Sequence, residues 1–267
     1  MKISIQVGFF VYLCADKQTF FRIMASDVFH FRQFDVAHDR CAMRVGTDGV
    51  LLGAWCSLPD VPVLDIGTGT GLISLMVAQR LSENGRLGEG CIEAVEIDAD
   101  AAAQAVGNFE GSPWAPAFRL HHAALQEFAT DRRFGLIVCN PPFYNATLKS
   151  DSEARAVARH KDALPLDCIM KFAGQHLLDE GRLALVYPMD YDTEVMTSAV
   201  LACLKPVRIC NVLTKEGKPC KRRLAEFALQ ASAASLLSAE PLMLHGSDGE
   251  YTTEYRALTE AFYVSLR

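Results

Sequence analysis

A doubly wound, mostly parallel α/β sheet with one antiparallel strand at an edge is predicted for these 267 residues by three observations. From residue 61 onward, short apolar runs alternate with segments of helical periodicity, the pattern of βαβ units. Val63-Leu64-Asp65-Ile66 passes through Gly67-Thr68-Gly69-Thr70-Gly71 into an amphipathic stretch, reading as strand, glycine turn and helix. A second apolar run, Leu136-Ile137-Val138-Cys139, stops at Asn140-Pro141-Pro142-Phe143. There two prolines fix φ and remove two backbone donors, so the chain leaves the strand as a stiff extended turn. Half of the residues are hydrophobic, enough for a sizeable buried sheet in a single core.

The elements follow in order. Phe29 to Val36 alternates apolar and polar residues, a short strand or hairpin arm. A helix runs to Trp55 with Thr47 or Asp48 as its N-cap. Strands at 61–66, 91–97, 117–121 and 134–139 bracket helices at 70–81 and 99–110. Residues 144–160 are polar with weak periodicity, a loop or short helix. A helix at 165–178, a strand at 182–187 and a helix at 190–203 come next. Strands at 206–213 and 223–230 flank a charged hairpin, and 251–263 closes the chain. The organisation expected is an extension over 1–24, an arm over 25–58 and one catalytic domain over 59–267. Ile3 to Ala15 is apolar but too short to span a bilayer as a helix, and Met24 before Ser26-Asp27 reads as an alternative start.

Glycine has no Cβ, so Gly67, Gly69 and Gly71 permit positive φ and close approach of a ligand to the backbone. The G-x-G-x-G spacing is neither the dinucleotide fingerprint nor a P-loop. Glu96, 25 positions after Gly71, ends the second strand, where open α/β folds hold a ribose diol. Glycine loop and ribose acid together imply an adenosine-containing cofactor. Asn140 offers a carbonyl acceptor and a two-proton donor, and Phe143 a flat apolar face. The pair suits a planar group bearing an exocyclic or amide nitrogen. Asp48 either caps its helix or reaches over the cofactor.

Nine cysteines, an odd number with no C-x-x-C, point to reduced thiols in a cytoplasm rather than to zinc or disulfides. His121 and His122, with no cysteine or acid cluster beside them in sequence, read as surface residues, and no metal is expected. The net charge of −6 means that a nucleic acid would be met by a local basic patch. Lys205, Arg208, Lys215, Lys218, Lys221, Arg222 and Arg223 supply one patch. Arg155, Arg159, His160 and Lys161 after the proline turn, and Arg32, Arg40 and Arg44 in the arm, extend it.

The stretches FRQFDVAHDRCAMRVGTDGVLLGAW, VLDIGTGTGLISLMVAQR, AVEIDADAAAQA, NPPF and YTTEYRALTEAFYVSL resemble the bacterial tRNA(Val) (adenine-37)-N6-methyltransferase family, Rossmann-like enzymes that use S-adenosylmethionine. The resemblance runs from about Phe29 to the end. It implies that Asp65, Gly67, Gly69 and Gly71 hold the methionine part of the cofactor, Glu96 its ribose, and Asn140 to Phe143 the target adenine of a tRNA. Arg155, Arg159, Lys215, Lys218, Lys221, Arg222 and Arg223 are then the RNA contacts, and a cytoplasmic monomer is expected. One departure stands out: no carboxylate follows the third strand until Glu127, which leaves Gln126 near the cofactor's adenine. Methyltransferases acting on a protein glutamine amide or on guanine N2 use the same nitrogen geometry, and a non-catalytic RNA-binding module is the remaining alternative.

Overall fold

The computed structural model describes residues 27–41, 43–58, 61–143, 164–232 and 238–265. Expectations for 1–24, for the segment 144–160, and for Arg155, Arg159, His160 and Lys161 lie outside them. A two-stranded antiparallel arm, β1 (Val28–His30) and β2 (Asp35–Ala37), leads into α1 (Thr47–Trp55). Then follow β3 (Val63–Ile66), α2 (Leu72–Glu83), β4 (Ile92–Glu96), α3 (Ala99–Glu110), β5 (Phe118–His122) and β6 (Phe134–Cys139). After the proline turn come α4 (Leu166–His176), β7 (Leu177–Pro188), α5 (Asp192–Leu201), β8 (Leu204–Lys215), β9 (Arg222–Leu229), β10 (Ser238–His245) and α6 (Thr253–Thr259).

Among the described residues eight strands form one sheet in the order β10-β8-β9-β7-β6-β3-β4-β5, in which β9 alone runs antiparallel to its neighbours. The expected antiparallel edge strand therefore sits third from the edge. The unforeseen β10 pairs in parallel outside β8 and takes the edge position. Pro241 lies in β10, and an edge strand is where a missing backbone donor does no harm. The boundary of α4 also moves: the chain passes directly from His176 into β7, so the strand begins five residues before the expected 182.

Side-chain alternation builds a core on each face of the sheet. Val63, Leu136, Val138, Ala184 and Val186 pack with residues of α1, α2 and α3. Leu64, Ile66, Ile137, Cys139 and Leu185 pack with Ile169 and Met170 of α4 and Val195 of α5. The central strands are buried on both faces, which is why β6 reads as a near-continuous apolar run and β3 as one broken only by Asp65. The arm docks through Asn108 of α3, whose amide bonds both the N–H and the carbonyl of Ala37 at 2.9 and 3.0 Å.

Register fixes what emerges at the carboxyl ends. Ile66 pairs with Val95 on one side and Cys139 on the other, so Glu96, Gly67 and Asn140 leave the sheet side by side. Cys139 pairs with Leu185, which sets the end of β7 beside the proline turn. Pro188 in turn pairs with Arg222 at the start of β9.

Candidate active site

The loop joining β3 to α2 has Gly67, Gly69 and Gly71 at φ of 66°, 56° and 81°, where a Cβ is strained. Space separates their roles. Among the described residues, a Cβ on Gly67 would meet only Leu164 Cδ2 at 3.7 Å, and one on Gly69 only Cys41 Sγ at 3.5 Å, and both glycines line cavities. A Cβ on Gly71 would fall 2.5 Å from Phe109 Cε1. Gly71 is the N-cap of α2, and it packs against a ring instead of lining a cavity.

Two carboxylates brace this loop. Asp65 is buried; its Oδ2 accepts from Thr68 Oγ1 at 2.7 Å and Ser74 Oγ at 2.8 Å, while Oδ1 has no hydrogen-bond partner among the described residues. Burial pushes the carboxyl up from 3.8 to about 6, against the two hydroxyls that lower it. Glu96 accepts the Gly69 N–H at Oε2 (2.8 Å) and the Asp98 N–H at Oε1 (3.0 Å). Each of those oxygens keeps a second lone pair for a ligand hydroxyl.

Among the described residues two cavities flank the proline turn. One of about 560 Å³ is lined by Glu96, Ile97, Asp98, Ala124, Leu125 and Gln126. The other, about 600 Å³, is lined by Asp48, Pro141, Phe143, Tyr187, Pro188 and Arg222. Gly67, Gly69, Met43, Asn140 and Pro142 belong to both. Asn140 is half-buried, and among the described residues its amide has no hydrogen-bond partner. The ring of Phe143 packs 4.7 Å from Tyr191 and 6.4 Å from Tyr187. Beneath it the Tyr187 hydroxyl donates to Asp192 Oδ1 at 3.0 Å, and Arg223 Nη1 donates to the same oxygen at 2.5 Å. Burial, then the Asp192 charge, keeps that hydroxyl protonated well above the ordinary tyrosine range.

The first cavity fits a nucleoside joined to an amino acid. The Glu96 carboxylate and the uncrowded Gly67 and Gly69 line it, and Asp65, with an unpartnered buried oxygen, lies beneath the loop, an arrangement that fits the hydroxyls and the bulk of S-adenosylmethionine.

Residues 48–208 match the family model described as the methyltransferase small domain. The tRNA1(Val) (adenine(37)-N6)-methyltransferase of Christiangramia forsetii is 40% identical over 249 residues, covering 91% of this chain and 100% of that protein. The enzyme of the same name from Actinobacillus pleuropneumoniae serotype 5b is 34% identical, covering 90% and 99%. The chain belongs to the tRNA1(Val) (adenine(37)-N6)-methyltransferase family. Its fold is that of S-adenosylmethionine-dependent methyltransferases. A predicted O-methyltransferase from Agrobacterium tumefaciens superposes with a TM-score of 0.60 at 18% identity, covering 83% of this chain and 99% of that one. The CcbJ methyltransferase of Streptomyces caelestis superposes at 0.52 with 12% identity, covering 73% and 96%.

Within this family member the expected residues separate into groups. Asn140, Pro141, Pro142, Phe143, Gly67, Gly69 and Glu96 converge on the two cavities, with Asp65 buried beneath the loop. Asp48 does not cap α1; Gly46 takes the N-cap position, and Asp48 Oδ2 accepts from Arg222 Nε at 2.8 Å in the Asn140–Phe143 cavity. The basic patch divides. Lys215, Lys218 and Lys221 stay on the exposed hairpin, whereas Arg223 is committed to Asp192 and to Asn211. Lys205 and Arg208 lie at the other end of β8, donating to the carbonyls of Ser232 and Trp55. In the arm, Arg32 donates to the Tyr263 carbonyl at 2.7 Å, and Arg44 lines the Phe143 cavity. His121 is not a bare surface residue: its Nε2 lies 2.9 Å from the buried Glu93, which Arg132 also engages. Tyr187 and Asp192 escaped the sequence reading. Their signal is topological, since β7 is the parallel neighbour of the strand that ends at Asn140. Among the described residues no group of three or more His, Cys, Asp or Glu is placed to hold a metal, and no helix is long and apolar enough to cross a membrane.

Proposed function

We propose that this chain methylates the exocyclic N6 of an adenine in tRNA, taking the methyl group from S-adenosylmethionine, and that the target is the adenine at position 37 of tRNA(Val) named in its relatives. The observation that carries the proposal is the position of Asn140, which lines both cavities. A group held on one side is brought against a group held on the other at that residue.

The adenine N6 lone pair is delocalised into the ring and is a poor nucleophile. The Asn140 side-chain carbonyl and the Pro141 backbone carbonyl each accept one N6 proton. This draws the nitrogen toward tetrahedral geometry and turns its lone pair to the neighbouring cavity. No strong base is needed, because the surplus proton leaves to water. The gain is positional, and positioning supplies several kcal/mol of barrier lowering. Phe143 stacks on the base, worth about 1–3 kcal/mol. Tyr191 and Tyr187 hold that ring from behind. When bound, S-adenosylmethionine supplies an electrophilic methyl group; Glu96 takes its ribose and Asp65 with Gly67 and Gly69 its amino-acid end. A base in an anticodon loop must leave its stack to enter. Lys215, Lys218 and Lys221 lie on the same carboxyl-end side of the sheet and meet the RNA backbone there. The reaction belongs in the cytoplasm, with tRNA.

The test is transfer of labelled methyl to tRNA lacking the modification, followed by digestion to nucleosides. Label in N6-methyladenosine is expected. Label in guanosine or in protein, or none at all, overturns the proposal. Asn140→Ala is expected to abolish transfer and to leave S-adenosylmethionine affinity within about twofold, since its amide serves the acceptor base.

A further inference from the structure

The two cations among the described residues that line the Asn140–Phe143 cavity are Arg44 and Arg222. An adenine needs neither, because the base is neutral and Asn140, Pro141 and Phe143 supply its acceptors and its stacking face. The charged part of a nucleotide is its phosphodiester, and a base that enters the cavity brings that group to the rim. Arg222 is built for such a contact. Nε donates to Asp48 Oδ2 at 2.8 Å and Nη1 donates to the Lys221 carbonyl at 3.1 Å. These bonds fix the guanidinium plane and leave the remaining donors of its five for a ligand. Arg222 opens β9 opposite Pro188, while Asp48 sits in the first turn of α1, so the pair bridges the cavity wall.

We propose that Arg222 grips a phosphate flanking the target adenosine, and that Asp48 is a positioning residue that aims the guanidinium into the cavity. This rests on the reading of the site as an RNA adenine methyltransferase. Arginine suits the task because its planar fork matches two phosphate oxygens at once. With Asp48 beside Arg44 and Arg222 the rim carries one net positive charge, which matches a single phosphodiester instead of drawing the RNA backbone inward.

The test uses the full chain with an anticodon stem-loop RNA carrying the target adenosine. Arg222→Gln is expected to lower kcat/KM by about tenfold to a hundredfold, the value of a charged hydrogen-bond pair. The salt slope of RNA binding is expected to fall by about 1. Arg222→Lys is expected to recover the salt slope but little of the rate. Asp48→Asn removes a negative charge beside the RNA; RNA is expected to bind no more weakly while kcat falls, a split that mere loss of packing does not produce. Stem-loops with a neutral methylphosphonate 5′ or 3′ of the target complete the cycle. One of them is expected to cost the wild-type protein as much as Arg222→Gln, with no further loss in that variant. Additive losses at both positions overturn the proposal, as does an Arg222→Gln variant whose main defect is in S-adenosylmethionine affinity. A wild-type protein that methylates no adenosine in the stem-loop refutes instead the reading beneath it.

Discussion

Replacing Asp65 by asparagine is expected to stabilise the empty protein while weakening its hold on S-adenosylmethionine. The carboxyl is buried, has one oxygen unpartnered, and titrates at about 6 in place of 3.8. Its folded state therefore binds a proton more tightly than its unfolded state. The stability this group contributes is complete below pH 3.8 and is lost as the pH rises through about 6. Each tenfold in proton affinity is about 1.4 kcal/mol, so the carboxylate costs the empty fold about 3 kcal/mol at pH 7.5. At pH 5 the cost is about half that, so the advantage of Asp65→Asn is expected to widen by about 1.4 kcal/mol between pH 5 and 7.5. Urea denaturation of both proteins at the two pH values measures it. In the proposed binding mode the same carboxylate receives the ligand ammonium, and its ionised form does so more strongly. Wild-type affinity is then expected to rise about tenfold between pH 5 and 7, with proton release visible by calorimetry in buffers of different ionisation enthalpy. A stability gap that stays constant with pH, together with a flat affinity profile in the wild type, would refute the argument.

Other perturbations probe other parts. Gly71→Ala places a methyl against Phe109 at a left-handed backbone angle, and is expected to cost about 2–4 kcal/mol of stability by thermal or urea melts. Phe143→Leu keeps an apolar side chain but loses the stacking face, and kcat/KM for RNA is expected to fall about tenfold or more with cofactor affinity unchanged. Changing Lys215, Lys218 and Lys221 together to alanine is expected to weaken tRNA binding and to reduce its salt slope by about 2, read from filter binding across a salt series.

The elements legible in the sequence are those whose local pattern matches their environment. Strands β3, β4 and β6 are buried on both faces; β6 announces itself as an apolar run, while β3 and β4 carry the acids Asp65, Glu93 and Glu96 among apolar residues. The Asn140 turn and the glycine loop declare their stiffness and their permissiveness in composition alone. Strand β10 was hidden because Pro241 argues against a strand unless that strand is known to lie at an edge. Gly71 was legible as a glycine, but its reason, the ring of Phe109, comes from another helix. Arg222 and Arg223 are adjacent and identical in type, yet one faces the cavity with Asp48 and the other is tied to Asp192. Asp48 and Arg222 stand 174 positions apart, a distance across which no local pattern carries information.

The wall shared by the two cavities has a consequence for inhibition. A compound that occupies only the proposed cofactor cavity leaves the other open, and resembles the ligand of many methyltransferases. An adenine tethered through its N6 to the amino-acid arm of a cofactor analogue spans the boundary at Asn140 and engages both. Once either half is seated, the other is presented at the high local concentration set by a short tether, so the two modest affinities compound. In the proposed arrangement, selectivity in such a bisubstrate molecule comes from the cavity that Phe143 and Tyr187 line, and the cavity beside Glu96 adds affinity.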